Sequence, residues 1–243
     1  MWAINKRNRR FFFACRISLA NPALFAYEWR MLKFRLFGIP VVIEWWFWLS
    51  AALLGGGMSA RGPDDWMAVV VWIGIMFVSV LVHEMGHALA GIHFGARPSI
   101  KLHGFGGLTY LPGAYFSRGQ SIAVSAAGPL AGLLLGCLVL TLIKVTPPSS
   151  GLVSFAFRQA LYINFFWTFV NLLPIQPLDG GQILREVLGP RRIRVTALIG
   201  AALAVLLCVW SLHERRVYLA FMLAFFAYYN FRQEPVEGGV IKG

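Results

Sequence analysis

Apolar residues along this chain are gathered into long, nearly unbroken blocks rather than confined to one helical stripe or to alternate positions. Blocks that approach bilayer length lie at about 41–58, 66–94, 120–143, 154–173, 195–212 and 217–231. A segment that is apolar on every side has no face to offer water, so these blocks predict helices in hydrocarbon. The predicted class is an all-α polytopic membrane protein with about six transmembrane helices. Between the second and third blocks, RPSIKLHGFGGLTYLP (97–112) loses the helical period, and Pro98, Gly104, Gly106, Gly107, Pro112 and Gly113 punctuate short β-prone pieces. The pattern predicts a small membrane-associated sheet or re-entrant loop after the second helix, shielded by protein or lining a wet cavity.

Composition agrees with the pattern. Hydrophobic residues make up 58% of the 243 positions and the mean hydropathy is +0.66, well beyond a soluble domain. The expected organisation is a basic extension over 1–35, one membrane domain over 36–232 and a short tail over 233–243, so any regulator is expected to be a separate membrane protein. The net charge of +12 raises nucleic acid as a partner, but the arrangement of the cations argues against it. Lys and Arg concentrate before the first block, at Arg97, Lys101 and Arg118, at Arg185, Arg191, Arg192 and Arg194, and at Arg232 and Lys242, alternating with poorly charged connections. The positive-inside rule then puts both termini in the cytoplasm and requires an even number of spans. The expected location is a bacterial plasma membrane, with the lipid bilayer rather than nucleic acid as the surrounding partner. Cys15, Cys137 and Cys208 are too widely spaced for a disulfide framework or a cysteine metal site.

The second block contains HEMGH, residues 83–87, where ionisable side chains are costly and mark function by default. Four residues on a helix amount to about 40° of rotation, so His83 and His87 can face one metal ion, with Glu84 on the adjoining side within reach of a water. Zinc at a catalytic site needs a third protein ligand and an open position. Of the ten acidic residues, only Glu44, Glu84 and Asp179 are associated with the apolar blocks. Asp179 lies in NLLPIQPLDGG (171–181), where Pro174 and Pro177 break the fourth block and Gly180-Gly181 permit a sharp turn. Blocks two and four run in the same direction and carry their motifs near the same end, about 25 Å along a core of about 30 Å, so the site belongs toward the cytoplasmic face. A packed histidine pair with an ion-paired Glu84 is the plain alternative, yet no basic partner occurs in that block. The glycines at 128, 132 and 136 read as a smooth packing face. His93 points away from the pair, His103 reads as a loop residue and His213 as a solvated turn residue.

Together HEMGH at 83–87, FGG at 105–107, AGPLAG at 127–132, NLLPIQPLDGG at 171–181 and LFGIPVVI at 36–43 resemble the site-2 protease family of intramembrane zinc metalloproteases. The resemblance covers about residues 32–190 and lies in motif order. It implies one zinc ion per chain held by His83, His87 and Asp179, Glu84 as catalytic acid/base, Gly106 and Gly107 beside bound substrate, and Asn171 as a contact to substrate or developing oxyanion. The implied substrate is a membrane protein with a transmembrane helix, cut in or near the bilayer. Many relatives have Asn in place of Gly132 and His near Glu44. No PDZ or CBS domain fits the remaining length, so a minimal catalytic core is expected. A zinc protease of the CAAX-processing kind, which draws its third ligand from a different helix, and a non-catalytic metal-binding or transport protein are the competing readings.

Overall fold

The computed structural model describes residues 31–148 and 150–232; the calls on residues 1–30 and on the 233–243 tail fall outside them. The chain opens with a β-hairpin. Met31–Leu36 (β1) and Ile39–Glu44 (β2) pair antiparallel around a two-residue turn in which Phe37 (φ 50°) and Gly38 (φ 82°) both take positive φ. That geometry matches the twist of the flanking strands. After helices α1 (Trp45–Leu54) and α2 (Pro63–His93), β3 (Ser99–His103) joins β2 in parallel and β4 (Gly106–Tyr110) returns antiparallel beside β3. The result is one four-stranded sheet in the order β1-β2-β3-β4.

Two expectations change here. Residues 31–35, assigned to the basic extension, form the first strand of the sheet. The block at 41–58 is not one helix: its first residues belong to β2, and α1 is only 10 residues long. The reason is visible in the burial alternation. Ile39, Val41 and Ile43 point inward while Pro40 and Val42 do not, so this β-branched run follows the period-2 pattern of a half-buried strand once β3 is there to pair with it. The β segment expected after the second block is present as β3 and β4, but it is half of a larger sheet.

Ile39, Val41, Ile43, Ile100 and Leu102 from the sheet's inner face pack with Phe47 against Met85 and Ala88 of α2, placing the main core directly beside HEMGH. Among the described residues, three helices are long and apolar enough to cross a bilayer: α2, α3 (Arg118–Val145), and α6 (Ile193–His213) with the 3₁₀ turn Pro190–Arg192 that leads into it. Their outward faces carry Leu134, Leu138, Leu198 and Leu206 well exposed, surface that only lipid makes favourable. The chain is an integral membrane protein. The fourth block folds as α4 (Gly151–Tyr162), a π turn over Ile163–Trp167 and a last turn over Thr168–Asn171. The final block is the 15-residue helix α7 (Val217–Phe231).

Between the fourth block and α5 (Asp179–Leu188) lies a non-helical stretch, which must satisfy its backbone groups inside the protein. Asn230 of α7, fully buried, does this. Its Nδ2 donates to the Gln176 carbonyl at 2.7 Å and to the Phe226 carbonyl at 2.7 Å, and its Oδ1 accepts from the Gln176 N–H at 3.3 Å. Ile175, also fully buried, packs beside it with Ala204, Met222 and Phe226. Asp179 is thus held from behind by a helix far away in sequence. Asn230→Leu should cost roughly 1–3 kcal/mol, because it strands the Gln176 backbone groups where water is excluded. A fall of several degrees in the unfolding midpoint of the detergent-solubilised protein, against an unchanged Tyr229→Phe control, is the expected result.

Candidate active site

Four elements build the site. Helix α2 supplies His83, Glu84 and His87 from consecutive turns, α5 supplies Asp179 as its first residue, α3 backs the histidines, and β4 faces Glu84. Gly180 and Gly181 do not form a turn behind Asp179, as the sequence suggested; they lie in the first turn of α5, and a Cβ at either would collide with the backbone of residues 172–176. Their bareness lets that stretch cross in contact with the helix and brings Asp179 to the histidines.

His83 Nε2 lies 3.1 Å from Asp179 Oδ2, His87 Nε2 lies 3.3 Å from Asp179 Oδ1, and the two Nε2 atoms are 3.2 Å apart. The rings stand nearly perpendicular at 79°. On its far side His87 Nδ1 is 2.7 Å from the Val124 carbonyl. A carbonyl only accepts, so Nδ1 carries the proton and donates, leaving the Nε2 lone pair aimed at the cluster centre. The His87 lone pair, the Nε2 of His83 and a carboxylate therefore converge in a place where His87 and Asp179 are both buried. Such a set of acceptors calls for a cation between them. Ligands bound to zinc at 2.0–2.1 Å in a tetrahedron stand about 3.3 Å from one another, and the separations in this triangle of residues, in which the two histidines meet different oxygens of Asp179, are of that size.

Glu84 is held apart from this triangle although close to it. One of its oxygens lies within 4.8 Å of ring nitrogens of both histidines, so His83, Glu84 and His87 form a group able to hold a metal ion. Thr109 of β4 donates its hydroxyl to Glu84 Oε2 at 2.6 Å and stands 3.1 Å from the Glu84 carbonyl oxygen. A Cβ at position 107 would overlap the Glu84 side chain, and a Cβ at position 128 would overlap the His87 ring. Gly128, read from sequence as packing surface, is thus the seat of the His87 imidazole.

A cavity of about 490 Å³ opens beside the cluster, lined by His83, Glu84 and Asp179 and also by Asn171, Gly106 and Gly107. All the residues singled out in the sequence therefore meet around one space, except His87, which lies behind it. The remaining wall is largely apolar and aromatic, with Trp167, Phe225 and Tyr229, and it includes Asn164, whose Nδ2 donates to Ser79 Oγ at 2.9 Å. Thr109 and Asn164 were not singled out in sequence. Thr109 was legible only through β register, since it pairs with fully buried Ile100 and so must point inward; Asn164 was legible as an amide within an apolar block. Glu44 is not part of the cluster: it pairs with Lys101 Nζ at 2.7 Å. His103 lines the cavity at the end of β3 and accepts from the Phe105 N–H through Nδ1 at 3.3 Å.

Comparison with known proteins gives the same direction. The zinc metalloprotease MJ0392 of Methanocaldococcus jannaschii is 25% identical over 207 residues, covering 83% of this chain and 59% of that protein. The putative zinc metalloprotease Rip3 of Mycobacterium tuberculosis is 34% identical over 177 residues, covering 68% and 43%. Stage IV sporulation protein FB of Bacillus subtilis is 35% identical over 151 residues, covering 60% and 46%. The chain thus spans about half the length of the curated relatives it matches. The solved structure titled Site-2 Protease from Methanocaldococcus jannaschii superposes with a TM-score of 0.61 at 23% identity, over 88% of this chain and 100% of that one, so the fold is shared. The model for Peptidase M50B-like proteins matches residues 64–175 and that for Peptidase family M50 matches 148–210, which together take in HEMGH and Asp179, and the chain belongs to the M50, or site-2 protease, family.

Proposed function

We propose that the chain is an intramembrane zinc metalloendopeptidase whose ligands are His83, His87 and Asp179 and whose catalytic acid/base is Glu84. The observation that carries this reading is the triangle of 3.1, 3.2 and 3.3 Å separations with a buried carboxylate beside it that is not one of its corners. Three protein ligands leave a fourth position open on the cavity side, the arrangement of catalytic rather than structural zinc. A transport or storage site has no use for a general base next to it. An Asp at the start of α5 as third ligand also separates this site from the CAAX-processing kind.

Zinc, when bound, supplies a Lewis acid that lowers the pKa of a water and polarises a carbonyl. Glu84 takes the proton of the attacking water and hands it to the nitrogen of the leaving amine, so the carboxylate ends the cycle as it began. Asn171, at the end of its helical turn and on the cavity wall, donates to the developing oxyanion. The substrate is a membrane protein whose transmembrane helix unwinds locally, because helical carbonyls are hidden in their own hydrogen bonds. Among the described residues β4 pairs only with β3, so its outer edge, including Gly106 and Gly107, can take the unwound segment as an added strand.

In the membrane the chain crosses six times, with α1, the fourth block and α7 spanning alongside the three long helices. Both termini then face the cytoplasm of a bacterial plasma membrane and the cluster sits toward that side, where a separate membrane protein regulates access. Reporter fusions at 59–62 and 147–150 should read as outside, and fusions at 113–117 and 189–192 as inside; an outside reading at 189–192 would break the six-span arrangement.

Two substitutions separate binding from chemistry. Asp179→Ala should lose zinc and activity together, because only two imidazoles remain. Glu84→Gln should keep stoichiometric zinc while cleavage of a single-span membrane substrate falls roughly 10²–10⁴-fold. Zinc content by mass spectrometry and cleavage in proteoliposomes read the two effects. Glu84→Gln at wild-type rate would remove the acid/base assignment, and Asp179→Ala with full zinc would remove the ligand assignment.

A further inference from the structure

Glu84 stands close enough to the histidine nitrogens to be a ligand itself, with the reacting atoms of all three residues within 4.8 Å. A glutamate has three side-chain torsions, so something must choose between a base that faces water and a carboxylate that joins the metal. Only β4 supplies such a restraint among the contacts of the described residues. The Thr109 hydroxyl is 2.6 Å from Oε2, inside the range of a hydrogen bond from O–H to an ionised carboxylate, and β branching keeps the threonine side chain in few rotamers. Thr109 itself is anchored by strand register opposite Ile100. Two residues earlier on the same face, Gly107 leaves room for the carboxylate and for nothing larger.

We infer that Thr109 is a positioning residue that tethers Glu84 Oε2 to β4, holding the carboxylate off the metal and presenting Oε1 alone to the attacking water. The inference rests on the protease reading above and adds a selection step to it: the sheet, rather than the helix that carries Glu84, decides whether that residue is base or ligand. The hydroxyl makes the tether and the methyl only narrows its rotamers, so serine keeps most of the effect and valine, which has the same shape without the hydroxyl, loses it.

The test compares Thr109→Val, Thr109→Ser and Glu84→Gln in the full-length chain, loaded with zinc for kinetics and with cobalt(II) for absorption. Thr109→Val should retain its metal, lose about 10–100-fold in kcat with KM little changed, and show a weakened visible cobalt absorption as the freed carboxylate raises the coordination number. Thr109→Ser should recover both rate and spectrum to within about threefold of wild type. A Thr109→Val protein with wild-type kcat and spectrum overturns the tether, as does a Thr109→Ser protein as impaired as the valine variant, which would mean that shape and not the hydroxyl matters. Failure of the protease reading looks different: zinc-loaded wild type would then cleave no faster than Glu84→Gln, while the cobalt spectra of Thr109→Val and wild type still report whether the carboxylate moves.

Discussion

Three acceptors, two imidazole nitrogens and a carboxylate, are brought within 3.1–3.3 Å of one another where burial removes the water that would otherwise separate them. With lone pairs turned inward these groups repel one another, so the rest of the fold can be understood as what holds them there until a proton or a metal cation makes the arrangement favourable. Val124 fixes the tautomer of His87, Gly128 gives its ring a place to rest, Asn230 secures the loop that delivers Asp179, and the inner face of the sheet packs on α2 one turn from the histidines. Stability from these contacts is spent keeping a site that is unfavourable when empty, as buried functional groups generally demand.

How far the sequence reached depended on whether one residue or a pairing carried the information. HEMGH and Asp179 were legible because ionisable residues stand out in apolar surroundings, whereas Asn171, Gly106 and Gly107 came from the family resemblance; all of them line or abut one cavity. The hairpin of β1 and β2 was not legible. IPVVIE is apolar enough to begin a span, and only its parallel partner, about sixty residues downstream, makes the strand the better choice. Gly128 shows the same limit on a smaller scale, since a small residue on a helix face announces close approach without saying what approaches. Crossing number stands at the boundary between the two cases, because α1 and α7 are apolar but short, and their lengths alone do not determine whether they traverse the bilayer.

The sheet joins these levels. Its alternation sends Ile100 and Leu102 into the core with Thr109 and Gly107 toward Glu84, and sends Lys101 and His103 to the opposite face, where Lys101 meets Glu44. A single period-2 pattern therefore separates the carboxylate beside the histidines from one neutralised by an ion pair. The remaining edge of β4 is the only part of that strand not committed to either task. Any chain that pairs with it lies along the same backbone that carries Gly107 and Thr109, so seating a substrate there and aligning Glu84 act on one strand. Displacing β4 by even a fraction of a residue spacing would move the hydroxyl out of reach of the carboxylate, since the hydrogen bond at 2.6 Å leaves little slack. Under the proposed function, substrate engagement and the readiness of the general base are in this way coupled through five residues of strand.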